Sequence, residues 1–396
     1  MKLTSLFVGK HMRTYALFFL TLLLGIASAP VRAQVGGAAV VFLMIEPDSR
    51  AAGMGNTGVA VADNASAVFW NPAGLAFQKG LSLSLTHANW LPEFKGAGLF
   101  YEHVNGRYSL PGLGTFGMHI TYLNLGEHEG RDENNNPTGT FRSYDLAIGG
   151  SFARKINERF ALGGGLRLIY SNLAPNQSVG GGEVQTQPGV SFGIDLAGLY
   201  RMPEMDLGGV NTQLSFGFNL ANMGPTISYT KPTTGPNGEQ IGGQEDPIPT
   251  NLRFGWSARF NLDQYNRLTL AMDFNKQLID RDSTSVTPFY KAIFSSWKTI
   301  RVNTGTPEDP RYQELSPFEQ LTIGVGSEYW YNDLFALRAG YFYENPYNGN
   351  RRFLTFGAGI RYNIIGVDFS YLYALEEKHP LSNTMRFSLL LDFSKR

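Results

Sequence analysis

The chain has 396 residues, and its 33 Lys and Arg balance 33 Asp and Glu, so the formal net charge is zero and there is no electrostatic case for a nucleic-acid partner. Only 17% of residues are charged, against about 25% in an ordinary soluble protein. Cysteine is absent, which excludes thiol catalysis, cysteine-ligated metals, disulfides and a lipoprotein anchor.

Near the start of the chain, Met12-Arg13 precedes an apolar run over Tyr15–Ile26, followed by the small-residue ends Ala27-Ser28-Ala29 and Val31-Arg32-Ala33. A basic start, a short apolar run and an A-x-A-like end predict a secretory signal peptide over 1–33. Cleavage is expected after Ala33, leaving Gln34 first, with Ala29 as the alternative. A membrane anchor would need about 20 apolar residues, more than this run supplies. Beyond Ala33 the longest apolar run is Ala38–Ile45, too short to span as a helix.

Residues 34–80 are rich in Gly, Ala, Val, Asn and Ser and contain Gly53-Met54-Gly55-Asn56-Thr57-Gly58, a literal G-x-G-x-x-G. A dinucleotide site needs a strand before this motif, a helix after it and an acid about 20 residues on. Val40–Ile45 is the candidate strand, but no Asp or Glu lies between Asn64 and Glu93 and no βαβ unit follows. Small residues serve better here for close approach of one backbone to another. Asp63 or Asn64 is expected to cap a short turn before Ala65–Phe69, ended by Asn71-Pro72.

From residue 81 onward the chain repeats period-two segments. In 352–362, Leu354, Phe356, Ala358, Ile360 and Tyr362 take one parity, and Thr355, Gly357, Gly359 and Arg361 the other. In a strand these are opposite faces. Fourteen such segments are predicted, at 81–90, 96–104, 113–124, 142–154, 159–171, 188–201, 211–222, 250–262, 265–277, 319–330, 333–344, 352–363, 365–374 and 383–394. The charges Asp145, Arg167, Asp195, Arg253, Arg259, Asp273, Glu328, Arg338, Arg361, Asp368, Arg386 and Asp392 all fall on the small and polar parity. A charge facing lipid at mid-bilayer costs about 2–4 kcal/mol, whereas a wet lumen tolerates it. Short links at 155–158, 263–264, 331–332 and 364 alternate with long ones at 125–141, 172–187, 223–249 and 278–318, while the first two links break the alternation. Tight turns at one end and long loops at the other are the habit of outer-membrane barrels. The expected fold is therefore all-β, a fourteen-stranded antiparallel transmembrane β-barrel over 81–396, in the outer membrane. An even strand count places both termini on the periplasmic side. The long links are read as partly mobile loops, not domain linkers.

Fourteen strands make a barrel too wide for its own side chains to fill, since about eight is the size that closes. Residues 34–80 are expected to plug it. Gly149, Gly163, Gly165, Gly193, Gly217, Gly324, Gly326, Gly357 and Gly359, all on the inward parity, are expected to admit the plug backbone. Gly150, Gly164 and Gly198 on the lipid-facing parity are candidate bends that would open a gap in the wall.

Ala62-Asp63-Asn64-Ala65 followed by Trp70-Asn71-Pro72-Ala73-Gly74 resembles the N-terminal hatch of FadL-family outer-membrane transporters. The longer run, Ile45-Glu46-Pro47-Asp48-Ser49-Arg50-Ala51-Ala52-Gly53-Met54-Gly55 through Phe69-Trp70-Asn71-Pro72-Ala73-Gly74-Leu75, resembles more closely the PorV (LptO) family, FadL-like proteins of the type IX secretion system of Bacteroidetes. The resemblance implies a fourteen-stranded FadL-like barrel with a hatch, whose motif here comprises Asp48, Arg50, Gly53, Gly55, Asp63, Asn64, Asn71, Pro72 and Ala73. It implies a carrier that takes cargo by its C-terminal signal domain from a SprA/Sov-like translocon barrel. The cargo then passes to a surface attachment complex containing a sortase-like, PorU-like subunit. Phe289, Tyr290, Phe294, Trp297, Tyr312 and Phe318 cluster in the longest outward link and are candidate contacts, aromatics being favoured anchors. They suit an interfacial girdle, or a cover over the barrel mouth, equally well.

Catalysis is not expected. His87, His103, His119, His128 and His379 fall in separate segments, without H-x-x-x-H spacing. His119 is expected inward, where an acid would be its partner in any triad. Arg131–Pro137 is oxygen-rich but lacks regular calcium-ligand spacing, so a solvated loop is expected and no metal or cofactor. A FadL-type transporter of hydrophobic small molecules is the alternative function. It would need an apolar cavity and a lateral opening at a kinked strand.

Overall fold

In a computed structural model the described residues are 37–395, without 132–134, 176, 180–183, 235–239, 282–284 and 307–308. The predicted signal peptide lies outside them. All described residues belong to one compact unit, 33–396.

Fourteen strands form the wall. The first seven are β1 (Leu81–Asn89), β2 (Phe100–Leu110), β3 (Gly114–Arg131), β4 (Pro137–Lys155), β5 (Phe160–Asn172), β6 (Gly189–Arg201) and β7 (Asn211–Met223). The second seven are β8 (Asn251–Asn261), β9 (Asn266–Gln277), β10 (Thr322–Tyr331), β11 (Phe335–Tyr343), β12 (Arg352–Tyr362), β13 (Ile365–Ala374) and β14 (Met385–Asp392). Each pairs antiparallel with its neighbour in sequence, and β14 returns to β1 with Leu389 opposite Leu85, so the sheet closes. Closure leaves no edge, the condition for a sheet to cross lipid.

Side-chain alternation follows the predicted parity. Phe356, Ile360, Tyr362, Phe387 and Leu389 are exposed on the outer face, whereas Asp145, Arg167, Asp195, Arg253, Asp273, Glu328, Arg338, Asp368 and Arg386 are buried on the inner one. Tyr265 and Tyr331 pair at 6.5 Å near the turn end, where an interfacial girdle belongs. Leu389→Arg, at the middle of β14, is expected to cost about 2–4 kcal/mol. Denaturant titration of the protein refolded into lipid vesicles reads that loss directly.

Three strands differ from the sequence reading. β2 runs from Phe100 to Leu110, beyond the predicted 96–104. This leaves a longer link at 90–99 and a tight one at 111–113, so the alternation of loops and turns holds from the first strand. β3 and β4 continue as a paired hairpin through most of the predicted loop 125–141, with a register shift between Asn124 and Glu127 at the left-handed Gly126. Their extensions carry Glu127, His128, Glu129 and Arg142, exposed to water on both faces, so no apolar alternation marks them. The oxygen-rich stretch 131–137, expected to be a solvated loop, is only partly described. There Arg131 donates to Glu129 and to the Asn135 carbonyl.

The long links also carry local order. Ile227–Ser228 pairs with Glu245–Asp246, and Ile300–Asn303 with Tyr312–Leu315. The helix Phe289–Ser295 precedes the second of these hairpins.

The segment before β1 runs down the inside of the wall. Val41–Met44 is a 3₁₀ turn, not the strand that a nucleotide motif would need. Helices α1 (Ser49–Ala52) and α2 (Ala67–Trp70) and the 3₁₀ turn Pro72–Phe77 follow. The Ala39 amide donates to the Pro247 carbonyl (2.9 Å), in the link before β8, and so lies at the loop end. The carbonyls of Lys79 and Gly80 accept from Arg107, at the turn end of β2. Gly37 and Lys395 therefore lie at opposite ends of the barrel, against the expectation that both termini share one side. The even strand count does bring the start of β1 and the end of β14 together, but the segment before β1 traverses the lumen first.

Candidate functional site

The hatch motif acts as a set of caps, ion pairs and close approaches. The Asp48 carboxylate caps α1 by accepting from the Ala51 amide (2.7 Å) and also accepts from Trp70 Nε1 (3.3 Å). Burial outweighs these bonds and raises its pKa. Asn64 Oδ1 accepts from the Ser66 amide (3.0 Å), so Asn64, not Asp63, caps the turn that leads into α2. Asn71 donates to the carbonyls of Val59 (2.9 Å) and Gly198 (3.0 Å), and its own oxygen caps the turn at Ala73.

Asp63 belongs to a chain of alternating charges that no local signal reveals. Arg259 of β8 donates to Asp63 (2.7 Å), which also pairs with Arg50. Arg50 holds Glu328 of β10 in a bidentate pair, both bonds 2.7 Å. Glu328 in turn accepts from Arg338 of β11 (2.8 Å), which reaches Asp368 of β13 (2.8 Å). Arg361 of β12 closes the series on Asp368 (2.6 Å). Burial alone would raise the Asp63 carboxyl, but Arg50 and Arg259 together hold it below its usual range. Burial opposes the Arg50 charge as well, and Asp63 and Glu328 overcome it, raising that pKa well above its ordinary value.

The buried plug backbone finds partners on the wall, as it must. Asp273 accepts from the amides of Gly58 (2.7 Å) and Val59 (2.9 Å). Asn219 donates to the Trp70 carbonyl (3.1 Å). Arg253 donates to the Phe69 carbonyl (2.9 Å) and stacks 4.3 Å from the Phe69 ring centre. The Ser49 amide donates to Ser388 (3.0 Å).

Glycine contacts divide. A Cβ on Gly163 would strike Pro72 and Ala73, and one on Gly217, Gly324, Gly326 or Gly357 would meet Val59, Gly55, Met54 or Gly53. Gly149, Gly165, Gly193 and Gly359 instead make room for wall side chains, namely His119, Ser151 with Asp195, Arg167, and Asp368 with Arg338. Gly117, Gly255 and Gly340 also face the plug and were not singled out from the sequence. Gly150, Gly164 and Gly198 mark no gap, because the β4–β5 and β5–β6 ladders pass through them without a shift. Among the described residues His119 meets no acid. It stacks on His103 at 5.8 Å, and His103 bonds Thr121 (2.8 Å).

Along the first five strands the loop-end half of the lumen is apolar and occupied by the chain itself. Val40, Phe42, Leu43 and Ile45 form one cluster with Ala88, Tyr101, Leu123, Ala147, Ile169, Ile227 and Ile248. Two cavities beside the plug measure about 10 and 40 Å³. One water needs roughly 10–15 Å³, so these have room for one to a few waters and none for an acyl chain.

Among the loop aromatics, Phe294 is 78% exposed, Phe318 76%, Tyr312 63% and Tyr290 57%. Phe289 is half-buried, edge-on to Tyr290. Trp297 donates to the Ile293 carbonyl (3.1 Å), and its ring takes the Lys276 ammonium at 5.3 Å, which ties it to the barrel mouth.

Comparison with known proteins gives three results. No curated protein sequence matches the chain. Among solved structures, the Pseudomonas putida toluene transporter TodX is 14% identical with a TM-score of 0.52, covering 89% of this chain and 100% of that one. The Ralstonia pickettii toluene transporter TbuX is 17% identical, TM-score 0.47, with 87% and 96% covered. A Pseudomonas aeruginosa FadL homologue is 12% identical, TM-score 0.44, with 88% and 98% covered. At such identities the likeness to TodX speaks for the FadL-like fold alone. Finally, a family model described as "Type IX secretion system protein PorV" matches residues 29–284. With the hatch motif and the closed fourteen-stranded barrel already in hand, that match over more than half of the sequence decides the matter, and the chain belongs to the PorV family of type IX secretion system proteins.

Proposed function

We propose that the protein is an outer-membrane carrier of the type IX secretion system, with its tight turns in the periplasm and its loops outside. It receives cargo by the C-terminal signal domain from a SprA/Sov-like translocon barrel and passes it to the attachment complex with its PorU-like sortase subunit. The role is protein recognition, without catalysis or a cofactor. In this reading residues 1–33 are the removed signal, 34–80 the plug and 81–396 the barrel. Family membership supports the secretion system. The single observation that favours a carrier over a conduit is the lumen filled by Val40–Ile45, where a transporter would keep an apolar cavity. Tyr290, Phe294 and Tyr312 are the exposed rings offered to cargo, with Phe289 and Trp297 supporting them.

Depletion of the protein tests this. Cargo with a C-terminal signal is expected to stall in the periplasm, and complementation by a Phe294→Ala/Tyr312→Ala variant is expected to restore the barrel but not full surface display. Normal display combined with lost uptake of fatty acids would replace the carrier by the transporter.

A further inference from the structure

We propose that the turn face carries a recognition site for an acidic segment of a partner protein, centred on Phe77, Lys155 and Arg201 at the floor of the lumen. The inward positions nearest the tight turns are rich in cations. Arg107 of β2, Lys155 of β4, Arg201 of β6, Arg259 of β8, Arg267 of β9 and Arg361 of β12 all take the inward parity there. Most have an acid at hand. Arg107 has Asp392 at 3.6 Å, Arg259 has Asp63 at 2.7 Å, Arg267 has Asp333 at 2.8 Å and Arg361 has Asp368 at 2.6 Å. The arc from β4 to β6 differs. Lys155 has only Glu158, 3.4 Å away and 92% exposed. Arg201 is half-buried, and no carboxylate of the described residues pairs with it. Asp63, whose charge reaches it, is already engaged by Arg50 and Arg259.

What Arg201 meets instead is an aromatic face. Its guanidinium lies 4.2 Å from the Phe77 ring centre, and Lys155 Nζ lies 5.4 Å from the same ring. Two like charges are thus held against one ring, partly out of water. A desolvated charge without a counter-charge is costly, and one incoming carboxylate relieves both cations. Arg154 and Arg159 stand exposed on the same hairpin and keep the local field positive. The neighbours narrow the ligand. Ile156 is 59% exposed beside Lys155, and Phe77 is half-buried, so apolar surface adjoins the charges. That combination fits a peptide with acidic residues around an apolar one, where a bare inorganic anion would use the cations alone. Parity argues against a lipid phosphate. Lys155 and Arg201 share the inward face with the buried Ala153 and Leu199, while Tyr200 points to lipid. The site goes beyond the carrier reading, which concerns the loop face. Only its placement in the periplasm rests on the orientation proposed above.

Calorimetric titration of the purified protein in non-ionic detergent tests this. The probes are a short synthetic peptide of glutamates around one leucine, and its glutamine counterpart. The glutamate peptide is expected to bind, more weakly as salt is raised, and the glutamine peptide not to bind. Lys155→Gln and Arg201→Gln are each expected to weaken binding about tenfold, the scale of one charge-assisted hydrogen bond. Arg301→Gln, in the hairpin of the longest outward link, is expected to leave it unchanged. Lys155 is 40% exposed, so its variant keeps the fold, and thermal melting checks that of Arg201→Gln. Absence of saturable binding, or binding untouched by Lys155→Gln, overturns the proposal. So does displacement of the peptide by an equal concentration of inorganic phosphate, or of phosphatidylglycerol in mixed micelles, which would make this a simple anion or lipid site. None of these readouts involves cargo or the orientation of the barrel. Failure of the carrier reading in the depletion experiment therefore leaves the site standing, and failure here leaves the carrier standing.

Discussion

Replacing Glu328 by alanine is expected to loosen the plug more than the loss of any other single carboxylate in the lumen. Glu328 bridges plug and wall in two directions, holding Arg50 through both oxygens and Arg338 through one. Its side chain is 1% exposed and that of Arg338 0%, so water cannot replace the lost acceptor. Removing one partner from a buried pair costs about 3–5 kcal/mol, most of it from the charge left behind. Asp63→Ala is expected to cost less, because its carboxylate is 26% exposed and Arg259 32% exposed. The net worth of the intact chain is a separate matter, since buried ion pairs replaced whole by apolar groups are often neutral. Arg50→Met/Glu328→Met is therefore expected to lose less stability than the two single changes added together. What the chain of charges supplies is registry: only one height of the plug satisfies Arg259, Glu328 and Arg338 at once. Thermal melting in detergent, with entry of small antibiotics into cells as a second measure, checks this. A Glu328→Ala protein that melts and seals like the wild type removes the role assigned to the network.

How much of this was legible beforehand depends on whether the cause is local. Leu389 and Ser388 announce their faces because a strand alternates with period two, and lipid outside with polar lumen inside makes the alternation visible. β2 was misplaced because its outer face includes Glu102 and Gly106, while Gly106-Arg107 looks like a turn. The small residues of the hatch were readable as close approach, but their partners were not. Arg50 and Glu328 are 278 positions apart, and inward parity says only that Glu328 faces the lumen. Nor does any pattern give the direction of the plug.

Gly55→Ala is expected to expel the loop between α1 and Gly58 from its seat. Two penalties act at once. Gly55 has φ +67°, which costs an L-residue roughly 1–2 kcal/mol. A Cβ there would also lie 2.5 Å from the Val325 carbonyl oxygen, 2.6 Å from that of Tyr341 and 2.7 Å from the Tyr341 nitrogen. Val325 and Tyr341 are paired neighbours of β10 and β11, so the obstructing atoms are ladder backbone and cannot turn aside. The loop must retreat instead, losing the bond from the Gly55 amide to Thr355 Oγ1 (2.8 Å), and overpacking of this kind adds about 1–3 kcal/mol. Two companion variants separate the causes. Gly112→Ala has a similar backbone, φ +79°, with nothing within 4 Å of the new methyl, and is expected to show the conformational cost alone. Gly55→Asn relieves the conformational cost, since Asn tolerates left-handed backbone as neighbouring Asn56 does at φ 65°, but enlarges the clash. If sterics govern, Asn is worse than Ala at this position. If φ governs, Asn restores most of the loss. The readouts are protease cleavage within 37–80 and antibiotic entry, and a Gly55→Asn protein as tightly sealed as the wild type would show that the close approach of plug to wall is not what closes the barrel.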